Sequence, residues 1–269
     1  MWTPTTRQQH SRQGLRYQTD LTDREWDLLE PRLPGPRGCG RRRAWSLREL
    51  VNAMFYVLRS GCAWRLLPKD FPPYTTVYRW FAEWRKAGLW QNVSQALREA
   101  DRCRIRRKAT PTGAIMDSQS VKTTEARGPR GYDAGKRVKG RKRQVLVDTD
   151  GPLLVVLVQP ADEQDCNGAV PLLRAAQKQL PSLKLVFADA GYDKERVFEA
   201  SSIAVEIVRK PPGQKGFAVQ PRRWVVERFL AWISRNRRLA RDFEALVTTA
   251  EAFLYAAATM LLRRRMARC

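Results

Sequence analysis

The chain is short of histidine. Among its 269 residues there is one, His10, in a polar N-terminal stretch where a solvated side chain is the ordinary reading. That single absence excludes Ser–His–Asp and Cys–His catalysis, and it excludes any metal site built from imidazoles. Cysteine is scarce as well. Cys39, Cys62, Cys103, Cys166 and Cys269 stand far apart, so neither a zinc knuckle nor a redox pair is signalled, and an odd count without a framework fits a reducing cytoplasm. Long apolar runs are missing too. The longest, Ala252 to Leu262, is too short to span a bilayer and reads as a core helix. Residues 1–18 contain no apolar segment of the kind that leads a chain into a membrane.

Acidic residues are under-represented. Lys and Arg number 50 against 27 for Asp and Glu, a formal charge of +23. A solvated surface does not require that imbalance, and self-repulsion opposes it. A polyanionic partner accounts for it, with nucleic acid first. A membrane surface would call for an amphipathic anchor, and none is seen. With histidine gone, chemistry must come from carboxylates, hydroxyls, thiols, Lys or Arg.

Residues 1–18 read as a disordered tail and residues 19–108 as a helical region. Thr22 with Glu25 forms a capping-box pattern. Ser46 opens a helix whose apolar face runs from Leu47 to Leu58 and ends at Ser60-Gly61. Further helices are predicted over Thr75–Lys86 and Trp90–Arg102. Short helices joined by tight turns, with Thr75, Thr76 and Arg79 at the start of one, fit a helix-turn-helix DNA reader or, equally by pattern, a plain helical bundle. The loop before them carries Arg41, Arg42 and Arg43.

Residues 109–269 have a different texture. Ala114–Ser118 reads as a strand carrying Asp117. A Gly-, Lys- and Arg-rich stretch from Lys122 to Arg143 reads as a mobile loop. Strands are predicted at Gln144–Asp148, Leu153–Gln159, Leu183–Ala188 and Ile203–Val208, and helices at Asn167–Gln179, Lys194–Ala200, Arg222–Leu239 and Thr248–Arg264. That order fits an α/β domain, a mixed sheet with helices on both faces, as in ribonuclease-H-like nucleases. Asp117 and Asp189 end apolar strands, and Glu227 lies near the start of a long helix. Three carboxylates drawn together need a counter-charge, which a pair of Mg²⁺ ions could supply while activating an attack on phosphorus. Pattern alone leaves alternatives open. Strand-end Asp residues are often turn residues, Arg223 and Glu227 could form a plain surface pair, and Asp148, Asp150, Asp162 and Asp165 compete as ligands.

Several ordered blocks resemble bacterial insertion-sequence transposases of the Asp-Asp-Glu class, in the group named for insertion sequence five. They are Leu21-Thr22-Asp23-Arg24-Glu25-Trp26, Gly61–Pro68, Ala114–Lys122 around Asp117, Phe187–Asp193 around Asp189, and Arg223-Trp224-Val225-Val226-Glu227-Arg228 followed by Arg235–Leu239. The resemblance selects Asp117, Asp189 and Glu227 as catalytic metal ligands and makes Arg223 a phosphate-binding partner of Glu227. It implies cutting at element ends, joining of 3′-hydroxyls to target DNA, Mg²⁺ or Mn²⁺ as cofactor, and a homodimer in the DNA complex. Two positions depart from the group's pattern: Gln220 where a Tyr is usual, and Ser234 where a basic residue is usual. The residues expected to touch DNA are Arg41, Arg42, Arg43, Thr75, Thr76, Arg79, Lys122, Lys139, Arg141, Lys142 and Arg235. A nuclease without strand transfer and a DNA-binding regulator without chemistry are the rival readings.

Overall fold

Polar caps start the first three helices. The computed structural model describes residues 3–35, 43–125, 127–209 and 222–268. Helix α1 spans Pro4–His10 and α2 spans Asp23–Leu29, where Thr22 and Glu25 form the reciprocal capping box. Ser46 caps α3 (Leu47–Ser60), which stops at Gly61 with φ of 73°. A side chain there would be strained, and its Cβ would also meet Arg237 Cβ at 2.9 Å. Helices α4 (Tyr74–Lys86) and α5 (Leu89–Arg104) follow, separated by a tight turn at Gly88.

The remainder alternates strands and helices: β1 (Gly113–Lys122), β2 (Gly131–Asp133), β3 (Val138–Asp148), β4 (Leu153–Pro160), α6 (Asp165–Gln179), β5 (Leu185–Ala188), α7 (Glu195–Phe198), β6 (Ala204–Ile207), α8 (Trp224–Ser234), α9 (Arg237–Ala240) and α10 (Val247–Met266). The strands make one mixed six-stranded sheet. β3 lies antiparallel to β1, β5 runs parallel to β1, and β6 runs parallel to β5. β2 and β4 pair with successive stretches of β3. The alternation of strand side chains decides what each face buries. Ala114, Met116, Leu146 and Val186 pack with Leu172, Leu173 and Ala176 of α6. Ile115, Val145, Val147 and Phe187 face the other way, toward Val226, Phe229 and Ile233 of α8 and the apolar side of α10.

Four sequence expectations change. Residues 3–18 are not a free tail. Arg12 reaches Glu25 with both terminal nitrogens, at 2.9 and 2.8 Å, and Tyr17 stacks on Phe71. Single-sequence polarity could not reveal these distant partners. The basic stretch after Lys122 is not one long loop, because β1 extends to Lys122 and β3 begins at Val138. The helix predicted over 222–239 ends at Ser234. Asn236 turns to extended backbone, its side chain bonds Ile233 O, and α9 starts after it. Last, α10 does not stay with the sheet. It packs on α5, α2, α3 and α4 as well as on β4, so one apolar core joins the helical and sheet regions.

Candidate catalytic centre on parallel strands

Asp117 and Asp189 come together because β1 and β5 are parallel neighbours. Ile115 pairs with Phe187, so two residues further on the two aspartates lie side by side on the face that α8 covers. Asp117 Oδ1 accepts from Ser118 N–H at 2.7 Å. Burial, with Asp189 adding repulsion, pushes its carboxyl from the usual 3.8 up to about 6, against the opposing pull of the Ser118 N–H, Arg223 and Lys136. Asp189 caps the short turn after β5, its Oδ1 accepting from Gly191 N–H at 2.8 Å. Beneath, Tyr192 is buried and its hydroxyl donates to Gln144 Oε1. Burial raises the Tyr192 phenol well above its ordinary value, so it stays neutral and donating.

Arg223 stands at the start of α8 and ties the acids to one another. Its Nη2 lies 3.4 Å from Asp189 Oδ2 and 3.5 Å from Glu227 Oε1. The Glu227 side chain is 51% exposed, and the guanidinium links it to Asp189. The two half-buried aspartates form an oxygen-only donor set, which suits a hard divalent ion. Among the described residues no three His, Cys, Asp or Glu side chains are grouped closely enough to hold a metal. Asp117 and Asp189 are two oxygen donors on one sheet face, one short of such a group. Glu227 is held away from them on Arg223.

The residues expected to touch DNA divide sharply. Thr75 and Arg79 are exposed on α4, beside the exposed Tyr74 and Tyr78, and Thr76 is half-buried. Lys122, Lys139 and Arg235 are exposed, and Arg43 is half-buried. Arg141 and Lys142 are not surface residues. Arg141 is 1% exposed, ion-paired with Asp242 at 3.1 Å and bonded to the carbonyls of Pro129, Glu244 and Ala245. Lys142 meets Asp165 at 2.9 Å, Asp133 at 3.4 Å and Glu163 O at 2.6 Å. Both hold the fold together, and neither is available to a phosphate. Arg41, Arg42 and Gln220 lie outside the described residues. Of the rival carboxylates, Asp148 is buried against Arg102, and Asp150 pairs with Arg265 at 2.6 Å. Asp165 opens α6 and binds Ser118 and Lys142 on the opposite sheet face from Asp117.

Sequence reading gave no role to Gln119 or Arg143. Gln119 stands two residues after Asp117 on the same strand face, opposite Arg143 of β3. The alternation of β1 was the available signal for Gln119. Nothing local marked Arg143, whose surroundings are set by long-range pairing.

Comparison with known proteins decides the family. Residues 108–262 match the model described as transposase DDE domain, more than half of the chain and the whole region that carries Asp117, Asp189 and Glu227. This chain belongs to the DDE transposase family. The helical part agrees, since residues 21–94 match a model of IS4/5-family transposases. A relative named as the transposase for insertion sequence element IS402 of Burkholderia cepacia is 32% identical over 138 residues, 47% of this chain. The match spans just under two thirds of that relative, 64% of its length. An uncharacterized 16.2 kDa protein of the same insertion element is 29% identical over 39% of this chain and 75% of its own. A further relative, from Sinorhizobium fredii, is 30% identical over 82 residues, 30% of this chain and 66% of its own. Among the described residues no helix is long and apolar enough to cross a membrane.

Proposed function

We propose that this transposase cuts DNA at the ends of its insertion element and joins the freed 3′-hydroxyls to target DNA, with chemistry centred on Asp117, Asp189 and Glu227 in a ribonuclease-H-like domain. The observation that carries the reading is the meeting of Asp117, midway along β1, with Asp189, just past the end of parallel β5, where Arg223 links Asp189 to Glu227. The raised carboxyl of Asp117 supports it. A site that keeps an acid desolvated beside a second acid is arranged for a positive ligand and not for stability. Asp117 and Asp189 would hold Mg²⁺ or Mn²⁺, and bound ions would activate an attacking oxygen and stabilise the leaving one.

The chain's own groups do the rest. Arg223 presents a planar set of donors, and its bonds to Asp189 and Glu227 are long enough at 3.4 and 3.5 Å to exchange for phosphate oxygens. Ser118 N–H fixes the direction of the Asp117 carboxylate. Exposed Arg79 and Thr75 on α4, with Lys122, Lys139 and Arg235, would position the duplex by its phosphates. We infer a homodimer in the DNA complex, because an element has two ends to be processed together.

The test uses purified protein, Mg²⁺ and a plasmid carrying the reading frame with its native flanks. Wild type should nick the plasmid at the frame's borders and join the ends elsewhere. Asp189→Asn should bind the flanks as wild type does and cut nothing. Cleavage by that variant would remove Asp189 from the chemistry.

A further inference from the structure

The hydrogen bonds around Gln119 set its amide in one direction. Arg143 has only donors, so its Nη1, 3.0 Å away, must meet the amide oxygen Oε1. At the other end Nε2 lies 3.3 Å from Ser234 Oγ. The Ser234 hydroxyl donates to Leu230 O at 2.8 Å, so toward Gln119 it can only accept. Both ends agree: oxygen toward Arg143, nitrogen toward α8. An amide nitrogen carries two N–H groups, and Ser234 takes one. Gln119 is half-buried on the face of β1 that carries Asp117.

Arg143 makes the arrangement unusual. It is 1% exposed, and no carboxylate lies within ion-pair distance of it among the described residues. Its Nε is buried without a hydrogen-bond partner. Asp242, the acid whose field reaches it, is bonded to Arg141. An interior cation without a counter-ion is strongly disfavoured. It is tolerable where an anion arrives in use, and Arg143 lies on the sheet face of Asp117 with its Nη1 bonded to Gln119.

We propose that Gln119 donates its second amide N–H to a phosphate oxygen of DNA lying beside Asp117, and that buried Arg143 is the positioning residue that orients and polarises that amide. The proposal rests on the reading of Asp117 and Asp189 as the site of phosphodiester chemistry. Hydrogen bonds in a chain strengthen one another, so a guanidinium on Oε1 makes Nε2 a better donor. Anion binding there would also supply the charge that Arg143 lacks.

The experiment compares wild type, Gln119→Leu, Gln119→Glu, Arg143→Met and the Leu/Met double variant on the plasmid with native flanks. Three quantities are read: the single-turnover cleavage rate at saturating DNA, binding to a flank duplex without added metal, and Tm. Gln119→Leu should slow cleavage about 10- to 100-fold, the range of one hydrogen bond to a charged acceptor, with binding changed less than about threefold. Arg143→Met should slow cleavage and add little in the Leu background, as expected of residues acting through one group. Gln119→Glu gives Arg143 a carboxylate, so Tm should hold at or above wild type while cleavage falls at least as far as for Leu. A purely structural Gln119 would instead leave the Glu variant active. Cleavage within twofold of wild type in both Gln119 variants, or losses that track Tm, would overturn the proposal even if Arg143→Met fails to fold. Wild type that nicks nothing would overturn the reading of the site and this proposal with it.

Discussion

Asp117→Asn should make the protein more stable at neutral pH while removing its activity. The carboxyl is raised from 3.8 to about 6, chiefly by burial and then by Asp189. That difference corresponds to about 3 kcal/mol against the ionised form in the folded state. The sign follows from proton binding. The folded-state value lies above the unfolded one, so between about pH 4 and pH 6 the folded protein holds the proton more tightly. Stability is therefore lost as pH rises through that window, and the whole penalty is present above it. Asn keeps the acceptor for Ser118 N–H, now 2.7 Å from Oδ1, and removes the repulsion toward Asp189. Since Asp117 is not fully buried, the gain should fall between about 1 and 3 kcal/mol, several degrees in Tm for a chain of this size. Urea melts of both proteins at pH 7.5 and at pH 4 would measure it, with the gap nearly closed at the lower pH. Millimolar Mg²⁺ should raise wild-type stability more than that of the variant and narrow the gap at pH 7.5. A variant less stable than wild type at pH 7.5, or a gap equal at both pH values, would refute the electrostatic account of this site.

Other expectations follow from the same structure. Glu25→Gln should destabilise the fold by about 3–5 kcal/mol, read by chemical denaturation, because Arg263 would be left fully buried without its partner and Arg12 would lose its anchor. Arg141→Met should lower Tm through loss of the buried pair with Asp242, yet leave the salt dependence of DNA binding unchanged. Lys139→Ala should leave Tm alone and reduce the salt slope of duplex binding by about one. Binding by wild type should weaken steeply between low and moderate salt, and a flat response by fluorescence anisotropy would count against a phosphate-reading surface.

Legibility from sequence followed locality. Thr22 and Ser46 act within three residues of themselves, so the starts of α2 and α3 could be named from short patterns. Asp117 and Asp189 were visible as carboxylates on apolar strands, but their adjacency depended on β1 and β5 being parallel neighbours, which no local pattern states. Glu227 was expected to join them. Instead Arg223 stands between, a detail set by how α8 packs on the sheet. The basic stretch of β3 misled for a physical reason. Arg141, Lys142 and Arg143 look like a phosphate-binding run, yet each is buried, because consecutive strand residues point to opposite faces and each face is covered. Charge is written in the sequence, whereas the acids that meet it, Asp242 for Arg141 and Asp133 and Asp165 for Lys142, lie far along the chain or behind a turn.

These buried cations also sharpen what the net charge means. Pairs such as Arg263 with Glu25, Arg102 with Asp148, Arg141 with Asp242 and Arg238 with Glu244 remove one charge of each sign from the surface. The formal excess of +23 survives that subtraction intact, while the acids left outside become fewer. The exterior is therefore more uniformly basic than composition suggests, which favours a polyanionic partner. Two interior arginines escape the pattern. Arg98 donates to Leu153 O and Arg143 to Gln119, and neither has a carboxylate at ion-pair distance among the described residues. Arg98 sits on α5, and burial, helped by neighbouring Arg102, lowers its basicity. Arg143 ends on a residue that shares a strand face with Asp117. Of the two, Arg143 is the one bonded to a side chain on the strand face of Asp117, where the proposed phosphate would lie. A charge kept inside at a cost to the fold is best explained where an anion can reach it.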